Sequence, residues 1–288
     1  MSGGKDSADA SSGRFIRRFL RQRNAVIGGA IVLVVLAVAI LAPWLAPHPF
    51  DATDLVNVWA PPDAVNWIGT DKLGRDIASR LIYGARASLM VALSVVAITL
   101  VLGVALGMIA GYFGGRTDGI LMRIVDVTLA FPEVVFAILV ASVLGPGMAT
   151  VIVSLALVWW PGIARLTRSL VLVQKQELFV DAAIVAGASP GEILRRHLLP
   201  NIVAPLIVRA SVGIGFIIMA EATLSFLGLG LQEPTPSWGS MIRDGLPALR
   251  TDPYLAVSGS IVLGLTIIGF NLLGDGLRDV LDPRLHGR

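Results

Sequence analysis

The sequence predicts an all-α integral membrane protein with six transmembrane helices, and three observations predict it. Of its 288 residues 55% are hydrophobic and only 15% charged, with a mean hydropathy of +0.78. A soluble domain is close to half apolar and a quarter charged. Apolar runs fall at roughly 25–45, 88–110, 120–144, 148–166, 203–224 and 256–274, lengths suited to about 30 Å of hydrocarbon. Between the fourth and fifth lies a polar, helix-prone island at 177–201.

Composition also excludes several function classes. The net charge is only +3, so the basic pI of 9.7 points to membrane loops and not to nucleic acid. There is no cysteine, hence no disulfide, thiolate nucleophile or Cys-ligated metal. His48, His197 and His286 are far apart in sequence, and no metal site is expected. A phosphate-binding loop needs a Gly-rich turn ending in Gly-Lys-Ser/Thr. Of Lys5, Lys72 and Lys175, only Lys5 follows a glycine, and Asp6 comes next. No residue set supports catalysis, so any ATP used must be hydrolysed by another chain.

Residues 1–24 form a polar tail ending in an arginine cluster (Arg14, Arg17, Arg18, Arg21, Arg23). The run that follows reads as a retained span; a cleaved signal peptide is the alternative. Its length and its Pro43-Trp44 end favour retention. Residues 47–85 are polar, with Trp59, Trp67 and Tyr83 as interfacial anchors and a turn at Pro61-Pro62. Six spans put both termini on one side. That compartment, with loops 116–123 and 164–204 and the tail 276–288, gathers sixteen Lys and Arg, the opposite one six. The positive-inside rule places both termini and the 177–201 island in the cytoplasm. Glycines within the spans (Gly28-Gly29, Gly103, Gly107, Gly111, Gly213, Gly215) are suited to close helix packing in lipid.

The island reads as two short helices around a corner. Residues 179–185 carry small side chains (Ala182, Ala183, with Ala186 following), which let a partner approach the backbone. Gly187 makes a tight bend inexpensive. Ser189 is then an N-cap, Pro190 the first helical residue and Glu192 the far half of a capping box. A short basic helix follows (Arg195, Arg196, His197), and Pro200 closes it. Such an element suits docking better than catalysis.

In the first extracytoplasmic loop, Trp67-Ile68-Gly69-Thr70-Asp71-Lys72-Leu73-Gly74-Arg75-Asp76 reads as a solvated, turn-rich surface segment. Cation binding by Asp71 and Asp76 is the less favoured reading.

Asp181-Ala182-Ala183, Gly187 and Leu199-Pro200 resemble the EAA motif of ABC importer permeases. Asp181 stands where that family usually has Glu, and His197 where many members have Ile and the peptide branch commonly has His. The segment from Trp67 to Asp76 is similar to a signature of the dipeptide and oligopeptide branch, with Ile68 replacing Leu. Three further stretches are similar to that branch. They are Gly111-Tyr112-Phe113-Gly114-Gly115, Ala220 to Gly228 running into Pro234 to Gly239, and Asn271 to Asp279 with Asp282-Pro283. The resemblance spans residues 14–285.

The resemblance implies a C-type permease subunit of a peptide importer in the bacterial inner membrane, with the type I importer permease fold. It implies that Asp181, Ala182, Ala183, Gly187, Ala188, Ser189, Pro190, Leu199 and Pro200 form the cytoplasmic coupling helix and its flanks. It further implies a homologous second permease, two ATPase subunits that bind ATP and Mg, and an extracytoplasmic binding protein. Trp67, Gly69, Thr70, Asp71, Arg75, Asp76 and Trp238 are the expected docking residues for that protein. The branch carries dipeptides, oligopeptides, glutathione, nickel complexes and some sugars.

Ionised groups at membrane depth cost at least ~2.5 kcal/mol, which marks Asp126, Glu133, Arg209 and Glu221 as candidates for the translocation path or gate. Asp126 and Glu133, seven residues apart, fall on one face of a straight helix, and Pro132 is a place for a bend. A proton relay is one reading of these groups. Pairing with a sister subunit, an interfacial position or a wet cavity is the preferred one. A proton-driven secondary transporter is the alternative function. No internal repeat of the kind such folds carry is visible, and it has no use for a cytoplasmic helix corner.

Overall fold

In the computed structural model, which describes residues 17–281, the apolar runs fold as helices. Among the described residues the only β pairing is a single bridge between Thr70 and Asp76. Helix α1 is Arg23–Ile40, followed by one turn at Ala42–Leu45; α2 is Ile77–Phe113, α3 Gly115–Leu129 and α4 Glu133–Leu144. Then come α5 (Met148–Gln174), α6 (Leu178–Val185), α7 (Leu199–Phe226), α8 (Trp238–Gly245) and α9 (Tyr254–Leu281). Among the described residues five helices are long and apolar enough to cross a membrane, six if α3 and α4 count as one span. Arg14 and the Asp282-Pro283 pair lie outside the described residues.

The third apolar run is not straight. Its halves, α3 and α4, meet at 89°. Pro132 has extended backbone (φ −58°, ψ 125°), lacks an amide hydrogen, and disfavours helical geometry at Phe131 before it. Asp126 and Glu133 therefore sit on different helices, and the expectation that they share one helical face is corrected.

The second run starts well before residue 88. Asp76 Oδ2 accepts hydrogen bonds from Ser79 N and Ser79 Oγ, both at 2.7 Å, so the helix is capped at its true start. The resulting α2 has 37 residues, about 55 Å of helix.

Pro200 does not close a separate helix. Pro190–Glu192, a π-helical stretch at Ile193–Leu198 and α7 form one continuous rod. Leu199 N donates to Leu194 O, a bond five residues long. The widened turn displaces the carbonyls that a proline ring would strike in a regular α-helix.

Close approach of backbones holds the rods together, as expected in lipid. Gly103, Gly107 and Gly111 present one bare stripe of α2 to α5. A Cβ at Gly107 would lie 2.4 Å from Ala164 O, and one at Gly103 2.7 Å from Ile163 Cβ. A Cβ at Gly28 of α1 would lie 2.3 Å from Leu273 N of α9.

Two buried clusters result. One, at the end bearing α8 (the cap end), includes Ile77, Leu81, Ile217, Leu224, Trp238, Met241 and Leu255. The other, at the opposite end (the loop end), joins Met108, Ile163 and Val171 to Val180, Ala183, Ile193, Leu198 and Ile202. The 177–201 segment is thus rooted in the bundle.

Candidate functional site

At the loop end, α6 finishes in a Schellman corner. Ala188 N donates to Ala183 O (3.0 Å) and Gly187 N to Ile184 O (2.9 Å), with Gly187 at φ +81°. The left-handed conformation favours glycine there. Ser189 Oγ accepts from Glu192 N at 3.3 Å, which makes half of the expected capping box. The other half is replaced: the Glu192 carboxylate takes Arg196, one turn on, as its partner.

The corner has two faces. Val180, Ala183, Ile193 and Leu198 are buried in the bundle, with Ala188 and Leu199 packed against them. Asp181, Ala182, Ser189, Pro190 and Pro200 are exposed. Around them stand Leu178 at 83% and Val185 at 88% exposure, with Ile184 half exposed. Exposed apolar side chains on a rigid corner beyond the spans mark an interaction surface. Of the three EAA-like residues, Ala183 faces inward and Asp181 and Ala182 face out.

At the cap end Thr70, Asp71, Gly74, Arg75 and Asp76 are buried while Lys72 stays exposed, which corrects the expectation of a solvated turn. Asp71 Oδ1 accepts from Leu73 N (2.8 Å) and Arg75 N (3.0 Å). Asp71 Oδ2 accepts from Arg75 Nε (2.7 Å) and faces Arg80 Nε at 3.4 Å. The two remaining arms of Arg75 clasp Glu233, Nη1 on Oε2 at 3.2 Å and Nη2 on Oε1 at 3.0 Å. Lys72 bridges Glu233 (3.5 Å) and Asp244 (3.1 Å).

Hydrogen bonds from Arg75, with the charges of Lys72 and Arg80 behind it, hold Glu233 at a pKa of about 2. Burial pulls Arg75 down, but Glu233 and Asp71 outweigh it, and its guanidinium is raised above its ordinary value. Buried charges persist where they are paired and hydrogen-bonded; Asp71 and Arg75 satisfy that condition, whereas Arg80 Nε faces Asp71 without a hydrogen bond. Thr70 Oγ1 accepts from Ala60 N at 2.8 Å. Gly69 sits at φ +92°, where a Cβ would lie 2.5 Å from Ala60 O. Of the expected docking residues, Trp67 stands 63% exposed, whereas Thr70, Asp71, Arg75, Asp76 and Trp238 are buried. These five are packed into the interior of the cap and not presented on its surface.

Helix α8 wedges between α2 and α7. Ser237 and Ser240 form its capping box. Trp238 Nε1 donates to Leu81 O at 3.1 Å, and a Cβ at Gly239 would lie 2.1 Å from Ala222 O. Beneath it, Glu221 is fully buried and reaches no surface. Ser88 Oγ donates to Glu221 Oε2 and Ser225 Oγ to Glu221 Oε1, both at 2.8 Å. The carboxylate ties α7 to α2.

The other intramembrane charges differ. Asp126 pairs with Arg165, both more than half exposed; outside the apolar run, Asp118 accepts from Nε and Nη2 of Arg168. Glu133 opens α4 at the break. Arg209 lies over the Trp159 ring, 5.5 Å from its centroid. Among the described residues neither Glu133 nor Arg209 is in an ion pair. Sequence reasoning missed Glu233, Arg80 and Ser88. Their partners are 158, nine and 133 residues away, so no local spacing signals them.

Residues 103–287 match the family described as binding-protein-dependent transport system inner membrane component, and residues 12–62 match the N-terminal transmembrane domain of oligopeptide transport permease C. The chain is 43% identical over 272 residues to the glutathione transport system permease protein GsiD of Pectobacterium atrosepticum, covering 94% of this chain and 90% of that one. It is 39% identical over 269 residues to the dipeptide transport system permease protein DppC of Alkalihalophilus pseudofirmus, covering 93% and 88%. Its fold is similar to that of the MetNI methionine ABC transporter in an inward-facing conformation. That match has a TM-score of 0.58 and 18% identity and covers 71% of this chain and 97% of that one. The chain therefore belongs to the binding-protein-dependent transport system inner membrane component family, as a C-type permease subunit of an ABC importer.

Proposed function

We propose that this chain is the membrane-spanning subunit of an ATP-driven importer of small peptides in the bacterial inner membrane. Both termini and the 177–201 corner lie in the cytoplasm, and the α8 end faces outward. Its partners are a homologous second permease, two cytoplasmic ATPases that bind ATP and Mg, and an extracytoplasmic binding protein. The relatives' names, glutathione and dipeptide permeases, support the substrate class.

The observation that carries this reading is the corner itself. Its inner face is locked into the bundle while Leu178, Ile184 and Val185 project outward. An apolar knob of that kind needs a groove on another protein, and the rooted inner face lets a pull on the knob move the helices. Closure of the ATPase dimer draws the two corners together, and the spans rock from inward-open to outward-open. Peptide then enters from the docked binding protein, with Trp67 as one exposed anchor on the outer platform.

The test is reconstitution. Vesicles holding both permeases and the ATPases should import peptide when supplied with ATP and binding protein, without a pH gradient. Val185→Asp should leave the subunit folded yet reduce copurification of the ATPase at least tenfold. Import that persists without ATP and collapses with the proton gradient would refute the reading.

A further inference from the structure

Two charges of the spanning helices, exposed Glu133 and half-buried Arg209, are in no ion pair among the described residues, and they flank one aromatic residue. Glu133 lines a cavity of about 70 Å³ together with Val134, Leu155, Trp159, Phe216 and Thr223. A neighbouring hollow shares Trp159 as a wall and is lined on its other side by Arg209, Thr99 and Leu100. The Trp159 and Phe216 rings stand 6.2 Å apart and form an aromatic floor between the two charges. We propose that Glu133 and Arg209, on either side of Trp159, form a subsite for the ammonium and carboxylate ends of a small zwitterion passing through the bundle.

Several independent features support this assignment. An ionised group at membrane depth is costly enough that it persists only with a partner or a task. Asp118 and Asp126 have their arginines, and Glu221 has its serines. Glu133 and Arg209 have neither among the described residues. Trp159 supports the guanidinium from one face, an arrangement that orients the fork and leaves its edge donors for a carboxylate. Glu133 sits in the first turn of α4, where the helix dipole favours a carboxylate. A proton relay does not fit the pair, because a guanidinium does not release its proton.

The opposite signs select the ligand. A simple cation would be repelled at Arg209 and a simple anion at Glu133. A short peptide with free termini satisfies both and lays its backbone across the aromatic floor. The cavity holds one end group and not a whole peptide, so the facing subunit closes the remainder. The inference rests on the peptide-import reading.

The test uses the purified transporter in nanodiscs without the binding protein, probed by saturation-transfer NMR with alanyl-alanine, its N-acetyl form and its C-terminal amide. Wild type should bind the free dipeptide, and each blocked form about tenfold more weakly, the weight of one charged hydrogen bond. Glu133→Gln should bind the free and acetylated forms alike, and Arg209→Gln the free and amidated forms alike. Arg209→Lys should restore part of the preference for a free carboxylate. Losses that add instead of overlapping, equal binding of all three probes by wild type, or no binding of any would each overturn the subsite. So would Glu133→Gln or Arg209→Gln complexes that fall apart, since the charges would then serve the sister subunit. ATP-driven uptake by the wild-type transporter, measured in parallel, reports separately on the import reading.

Discussion

Replacing Arg75 with Gln removes a guanidinium that holds Asp71 on one side and Glu233 on the other. The two pairs are unequal. Asp71 and Arg75 are both almost fully buried, and breaking a buried pair by deleting one partner costs ~3–5 kcal/mol. Asp71 keeps two backbone amides and Arg80, which puts Arg75→Gln at the lower end, about 3 kcal/mol. The side chain of Glu233 is 40% exposed. Its shift from 4.5 to about 2 would be worth roughly 3 kcal/mol at face value, but solvent screening leaves about 1 kcal/mol.

The readout is local opening of the cap. The chain has no cysteine and Ser237 is buried, so Ser237→Cys reports opening through its labelling rate with a dipyridyl disulfide, a reagent that works in acid. Arg75→Gln, which loses both pairs, should speed labelling on the order of a thousandfold and Glu233→Gln about fivefold. The Glu233 carboxylate is depressed in the folded state. Its stabilisation is complete above its ordinary value of 4.5 and is lost as pH falls toward 2. Labelling should therefore be flat between pH 5 and 8, rise in acid, and lose the Glu233 share of that rise in Glu233→Gln. An effect of Glu233→Gln as large as that of Arg75→Gln, or none from either, would refute the reasoning.

Three other perturbations follow from the same geometry. Gly187→Leu meets no atom within 4 Å but forces a side chain to φ +81°, a cost of ~1–2 kcal/mol. Membrane levels should stay normal while ATPase copurification or coupled uptake is lost. Gly107→Val drives a Cβ against Ala164 O at 2.4 Å and Thr167 Cβ at 2.6 Å. It should sharply lower the yield of intact subunit in size-exclusion chromatography, whereas Gly119→Val, in open space, should not. A cysteine at Ser189 should react with an impermeant thiol reagent only in opened cells and one at Thr53 in intact spheroplasts; reversed labelling would overturn the proposed orientation.

The parts legible in the sequence are those specified locally. Apolar length marks the spans, Gly187 and Ser189 mark the corner, and the small residues of α2 mark a packing stripe. The illegible parts depend on distant partners. A carboxylate at 233 carries no sign that an arginine at 75 will enclose it. Without that partner, the charges of the Thr70–Asp76 segment look like those of any solvated turn. Pro200 misleads for a related reason. Proline ends an α-helix by a local clash, but a π turn just before it removes the clash, and only packing of Ile193 and Leu198 into the bundle selects that turn.

The two ends of α7 are held differently, and this bears on how force can travel through the subunit. At the loop end the rod begins at Pro190 and runs unbroken for 37 residues to Phe226. At the cap end it is fastened to α2 by one direct bond, and two neighbouring ties join the segments beside the two helices. Glu221 bonds Ser88, Trp238 of the adjoining α8 bonds Leu81, and Arg75 clasps Glu233. Sliding α7 along α2 would break the Glu221–Ser88 bond and strand a buried carboxylate, at several kcal/mol. Rotating both as one body breaks none. On the proposed import reading, a pull on the corner rocks α2, α7 and α8 together about the cap, while the bent α3–α4 pair, which meets α7 through far fewer ties, shifts against them. The Glu133 break and Arg209 lie on the two sides of that moving boundary, where rocking changes the spacing between the charges and with it the hold on whatever lies between them.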